Sequence, residues 1–368
     1  MNKAESIYLD AVRFVCAVLV VFGHISGKRF TDGLFWQASF FMSQSVTVFF
    51  VLSGFVIAYA LATKEKTALI YIENRMARIY SVVIPALIIT ACLDIVGRFI
   101  NPFAYSIGWG FHGDSPFGYL ASLFFLNEIW FLHLSPGSDL PFWSLGYEVW
   151  YYVICGAAQF LSRRKWLVII FLLALVGPDI VAMMPLWLVG FAAYRLRGGV
   201  GPNWATKLGR GRWAAILWAT SAALLLVYEA VAWRYGRLFS QAALFFNRGE
   251  LPEDYLVGSL FAVNFFAFGG FATHIGWRPA PPLSRAIHWL SGATFSIYLL
   301  HLPVAQFLSA ILPENKHSLA VRCATILGTF VIIFLVASLT ERRKEMWRSA
   351  SRVFLSLVLC RRGSVIAN

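Results

Sequence analysis

Apolar residues dominate this chain in long runs, interrupted by short clusters of basic residues. Ten such runs stand out, at about 8–27, 38–62, 79–100, 142–161, 166–177, 181–197, 213–232, 256–275, 287–312 and 319–340. Most are long enough for a helix to cross a hydrocarbon layer of about 30 Å. The fifth and sixth are short and separated by Gly177-Pro178-Asp179, the pattern of a hairpin of tilted or broken helices. No segment alternates with a period of two, so the predicted fold is an all-α, polytopic membrane helix bundle of about ten transmembrane helices.

Charge placement orients the bundle. With the N-terminus inside, 22 of the 31 lysines and arginines fall on one side, at Lys3, in the 64–78, 163–165, 195–212 and 278–285 connections and from Arg342 onward. That asymmetry predicts cytoplasmic N- and C-termini. It also removes the nucleic-acid reading that a net charge of +13 would otherwise invite, because the basic residues form no single patch. The first run is too long for a cleaved signal and reads as a retained helix. Residues 1–341 form a predicted membrane domain and 342–368 a basic cytoplasmic tail, suited to an anionic leaflet or left as a disordered end. The loop 101–141 carries Asp114, Glu128 and Asp139 with no Lys or Arg, and Tyr119–Leu132 within it reads as an interfacial segment or lid. Composition adds an exclusion: 13% charged residues is about half the share of a soluble domain. The five cysteines are scattered with no CxxC pair, so neither a disulfide framework nor a metal site is expected.

Ionisable residues inside the runs are costly and mark candidate chemistry. Arg13 and His24 are eleven residues apart in the first run and share one helical stripe, roughly 16 Å apart along the axis. Asp10 precedes Arg13 by one turn on that stripe. Arg75 and Arg78, one turn apart at the mouth of the third run, can grip phosphate oxygens as a fork or simply anchor the helix. Ser53-Gly54 lies among large residues and permits a close backbone or a narrow ligand. Trp143-Ser144-Leu-Gly-Tyr-Glu148 opens the fourth run and puts a carboxylate at a depth comparable to His24. The two can form a general-base pair, or Glu148 can be a structural partner of another Arg or His. In the ninth run Tyr298 and His301 share a face, and Pro303 frees a carbonyl there. Asp94 and Glu229 are further intramembrane carboxylates without an assigned role.

In this order the motifs resemble those of the membrane acyltransferase-3 family, the integral membrane O-acyltransferases of bacterial envelope glycans. The resemblance rests on Leu9-Asp10-Ala-Val-Arg13 with ten residues before His24, and on Phe49-Phe-Val-Leu-Ser-Gly-Phe55. Arg75-x-x-Arg78, Trp143-Ser-Leu-x-x-Glu148 and Ser296-Ile-Tyr298-Leu-x-His301 complete it, over residues 7 to about 340. It implies an acyl-CoA donor, usually acetyl-CoA, entering from the cytoplasm as a substrate, with no permanently bound cofactor. Arg75 and Arg78 would hold the CoA phosphates, and Arg13 would support the donor channel. His24 would be the catalytic base, with Glu148 orienting it or the acceptor. Asp10, Ser53, Trp143, Ser144, Tyr298 and His301 would line the pocket. The acceptor would be a hydroxyl of an exopolysaccharide, O-antigen or oligosaccharide signal, at the bacterial inner membrane among lipids and glycan-assembly partners. Ala11 and Val12 depart mildly from the family's usual Leu-Asp-Gly-Leu-Arg. Larger relatives add a soluble hydrolase-like domain; here the chain ends at 368, so transfer would finish in the membrane or pass to a partner. A proton-coupled transporter and a non-catalytic partner of a glycan export complex are the competing readings.

Overall fold

The computed structural model describes residues 1–106, 115–197, 203–237 and 251–365, and no strand occurs among them. Asp114 and Arg248 lie outside the described residues. The helices are α1 (Lys3–Ile25), α2 (Met42–Thr63, preceded by a 3-10 turn at Trp36–Phe41), α3 (Ala68–Ile100), α4 (Pro102–Ser106) and α5 (Pro116–Leu123). Then follow α6 (Phe142–Phe160), α7 (Lys165–Val176), α8 (Pro178–Arg197), α9 (Asn203–Leu208) and α10 (Gly211–Tyr235). The chain ends with α11 (Leu251–His274), α12 (Pro281–Ser291), α13 (Thr294–Ile311), α14 (Leu319–Leu339) and α15 (Lys344–Val365).

Each of the ten apolar runs is helical. Among the described residues, eight helices are long and apolar enough to cross a membrane: α1, α2 with its 3-10 turn, α3, α8, α10, α11, α13 and α14. The other two runs are α6, rich in polar and aromatic residues, and α7, with only 12 residues. Together these elements make a multi-pass helical membrane protein. Successive helices place Lys3, Lys64, Arg163, Arg197 and Arg342 at one end of the bundle, the basic end.

Local chemistry explains the boundaries. The Asn2 side chain accepts a bond from Glu5 N at 2.8 Å and starts α1, with Glu5 favouring its positive N-terminus. Thr67 does the same for α3 through Ile70 N. At 33 residues α3 is about 50 Å long, so its first turns project beyond the hydrocarbon and carry Arg75 and Arg78 at the basic end. The ninth run differs from its prediction, because it is two helices broken at Gly292-Ala293. Glu341, from the end of α14, accepts bonds from Ser296 N and Ser296 Oγ at 2.9 Å each and from Phe295 N at 3.3 Å. A carboxylate on these orphan amides sets the start of α13.

Small residues determine the closest packing. A Cβ on Gly54 of α2 would sit 1.9 Å from the Trp187 carbonyl oxygen, and one on Gly190 of α8 would sit 1.9 Å from that of Val51. The two backbones therefore touch, as Ser53-Gly54 suggested. Helix α13 is the buried centre: Ile297, Leu299, His301, Val304 and Ala305 are all at 0% exposure. Around it stand α1, α2, α3 and α6, which carry the candidate residues. The basic tail, expected on an anionic leaflet or as a disordered end, is helical over Lys344–Val365. It forms α15, packed along α3, where Arg352 Nε meets Glu73 at 3.1 Å.

Candidate active site

Two cavities lie in series along the bundle, and Val46 and Tyr298 line both. The cavity toward the end opposite the basic one has a volume of about 500 Å³ and is walled by His24, Trp143, Glu128, His133 and Ser43. The cavity toward the basic end is a slot of about 40 Å³ lined by Arg13, Arg78, Ser53, Glu148, Ser144 and Phe49. Tyr298 stands between them. Its hydroxyl bonds Ser144 Oγ at 2.7 Å, and the Phe49 ring meets it edge-on at 5.6 Å between centroids.

His24 is the penultimate residue of α1, and its Nδ1 is 2.9 Å from Nε2 of His301. His301 Nδ1 lies 3.0 Å from the Ile297 carbonyl oxygen. That carbonyl can only accept, so His301 Nδ1 must carry a proton. His301 is completely buried, with no carboxylate bonded to it, which favours the neutral ring and leaves its Nε2 an acceptor. His24 must then donate from Nδ1. Its remaining nitrogen, Nε2, holds a lone pair on the residue that lines the large cavity. A chain of three groups thus fixes one tautomer of His24, the one suited to remove a proton.

Glu148 does not join this pair. It accepts from Ser53 Oγ at 2.6 Å and from the Tyr152 hydroxyl, while Trp187 Nε1 donates to Ser53 Oγ at 3.2 Å. The expected depth match fails for a simple reason. Glu148 lies six residues into α6, about 9 Å below its start, whereas His24 sits at the very end of α1. Glu148 belongs to the slot, with Arg13 and Arg78.

The two arginines of α3 also part company. Arg75 is held by Glu65 at 2.6 Å, itself bonded by Asn74, and its guanidinium lies over the Tyr152 ring at 5.4 Å. It lines a separate apolar groove with Tyr71 and Trp150. Arg78 faces the slot, with its guanidinium 4.8 Å from the Phe295 ring centroid and its buried Nε without a hydrogen bond. The two guanidiniums therefore do not form one fork. Asp10 lines neither cavity. It holds Arg13 at 3.5 Å and meets His288 at 2.7 Å, so its place is beside the slot's arginine. Trp143 faces the large cavity and its neighbour Ser144 the slot, as adjacent helical positions on different faces must.

Tyr152, Trp187, Glu341 and His133 escaped sequence reasoning. His133 lies 3.1 Å from Glu128 and 3.9 Å from Asp179 on the rim of the large cavity. Tyr152 could have been found, since it follows Glu148 by one turn. The loop that presents Glu128 and His133 could not. Its backbone is irregular, because Phe125 and Trp130 take left-handed backbone angles, φ 58° and 54°. Bulky residues there need outside support. Trp150 Nε1 supplies it to the Phe125 carbonyl at 2.9 Å, and Trp130 Nε1 reaches the Ala174 carbonyl at 3.0 Å.

Comparison with known proteins agrees with the motif order. The family model described as an acyltransferase domain, that of the acyltransferase-3 family, matches residues 6–340. No curated protein and no solved structure matches the chain. The match spans nearly the whole sequence, so the chain belongs to this family and is an O-acyltransferase.

Proposed function

We propose that this membrane acyltransferase moves an acyl group, acetyl foremost, from cytoplasmic acyl-CoA to a hydroxyl of a cell-surface or exported carbohydrate. The observation that carries the reading is the lone pair of His24 Nε2, fixed by His301 in a roomy polar cavity, with a narrow arginine-lined slot directly behind it. The basic end is the cytoplasmic one by its charge, and the membrane is the bacterial inner membrane.

The geometry suits a slim donor and a bulky acceptor. A pantetheine arm is narrow enough for the slot between Arg13, Arg78 and Tyr298, whereas a sugar fits the larger cavity beside Trp143 and Glu128. Hydroxyls are weak nucleophiles at neutral pH and need a positioned base. His24 Nε2 takes the proton as the acceptor oxygen bonds to the thioester carbonyl carbon. Collapse of the tetrahedral adduct breaks the carbon–sulfur bond, and the CoA thiolate recovers the proton from His24. The products are an O-acyl ester and free CoA. Ser144 and Tyr298, hydrogen-bonded at the junction of the cavities, are placed to meet the thioester end of the donor. Glycan-assembly proteins would deliver the acceptor.

The test is mass spectrometry of surface glycans from cells with the protein, without it, and with His24→Ala. We expect one acyl group per modified residue to disappear in the last two. Retention of that group in the His24→Ala strain, with normal membrane insertion, overturns the mechanism.

A further inference from the structure

The junction between α14 and α15 lies at the basic end of the slot. Glu341 bonds the first amides of α13, and the adjacent Thr294 and Phe295 line the slot itself. Three residues after Glu341, Lys344 begins α15, which is held to α3 by the Arg352–Glu73 pair. Among the described residues, no hydrogen bond or ion pair engages the Lys344 ammonium. Arg78 likewise has no carboxylate within ion-pair reach among the described residues, although it is largely buried and faces the slot. The two cations stand at one corner of the bundle: Arg78 lies over the Phe295 ring at 4.8 Å, Phe295 N donates to Glu341 at 3.3 Å, and Lys344 follows Glu341 by three residues. The Lys344 ammonium is held below its ordinary pKa, first by partial burial and then by Arg78, with Arg13 adding to the effect and Glu341 and Asp10 opposing it.

Cations are not usually gathered without anions unless a ligand completes the set. The nearby carboxylates are already committed: Asp10 to Arg13 and His288, Glu341 to the α13 amides, and Glu148 to Ser53 and Tyr152. Arg75, the sequence neighbour of Arg78, is neutralised by Glu65 and faces another groove.

We infer that Arg78 and Lys344, rather than Arg75 and Arg78, form the cationic pair that receives phosphate at the donor entrance, with α15 supplying its second member. The inference rests on the acyl-CoA reading above, and it names which residues would grip the nucleotide phosphates. Lipid head groups at the same surface carry the same chemistry, so the test must separate the two sources.

The experiment measures CoA binding by calorimetry to the full-length protein in phosphatidylcholine nanodiscs, with pantetheine as the phosphate-free probe. Lys344→Ala should weaken CoA binding about tenfold, as loss of one charge-assisted phosphate contact predicts. Lys344→Arg should retain most of the affinity, Arg343→Ala should leave it unchanged, and pantetheine should not distinguish Lys344→Ala from the parent. CoA affinity of Lys344→Ala within twofold of the parent overturns the pair. So does a loss seen only when phosphatidylglycerol is added, because it assigns the ammonium to lipid phosphate. If the parent protein binds no CoA, the donor reading itself fails, and that outcome is distinct from the other two.

Discussion

The two cavities differ in how their polar groups are held. In the large cavity the key group, His24, is part of a neutral chain running through His301 to a backbone carbonyl. In the slot the key groups are charges, Arg13, Arg78 and Glu148, packed into a space of about 40 Å³. A neutral chain fixes where a proton sits, whereas charges in a tight, poorly solvated space favour an extended polar ligand of matching charge. In the proposed mechanism this contrast gives proton transfer to one compartment and donor recognition to the other. Tyr298 is the boundary between them.

Removing the base should have the largest effect on that division. His24→Ala is expected to lower kcat by ~10²–10⁴-fold with little change in the donor KM; a large rise in donor KM instead would merge the two compartments. His301→Ala should come next, at ~10²-fold in kcat, because His24 loses the acceptor that fixes its tautomer. His301→Gln, whose carbonyl oxygen can still accept from His24 Nδ1, should recover part of the loss, and equal activity of the two variants would discard the tautomer argument. Arg78→Ala should raise the acyl-CoA KM about tenfold while Arg75→Ala raises it less, since only Arg78 faces the slot. Equal effects in steady-state assays would restore the fork on α3. The smallest change is expected for Tyr298→Phe, which deletes the hydrogen bond to Ser144 and should cost only several-fold in kcat/KM. If donor KM and kcat both stay unchanged in that variant, the hydroxyl has no part at the boundary.

Much of the fold was legible because membrane helices advertise themselves locally. Every apolar run became helical, the ninth as two helices, and the tight contact at Ser53-Gly54 followed from the size of its residues. The break before α13 was not legible, because the carboxylate that sets it, Glu341, lies more than forty residues further on. Among the site residues, spacing correctly placed Tyr298 and His301 on one face. Tyr298 lines both cavities, whereas His301, expected to line the pocket, lines neither and meets the large one only through His24; the shared face itself is a local property of a one-turn interval. Spacing misled at Glu148 and at Arg75. The depth of Glu148 depends on where α6 begins relative to the end of α1, and the direction of Arg75 depends on Glu65, which lies in the preceding connection.

The amino-acid order by itself determined the class of the molecule, its helices, the stripe carrying Arg13 and His24, and the motif order that the family match then bore out. Those features arise from hydrophobic periodicity and from hydrogen bonds four residues apart, which a single stretch of chain already contains. Only the tertiary structure decided which groups meet. It brought His301 to His24 across 277 residues of sequence, gave Arg75 to Glu65, and laid α15 along α3. Such pairings depend on the relative depth and rotation of separately formed helices, and these are set by packing contacts such as Gly54 against Trp187, which no single helix encodes.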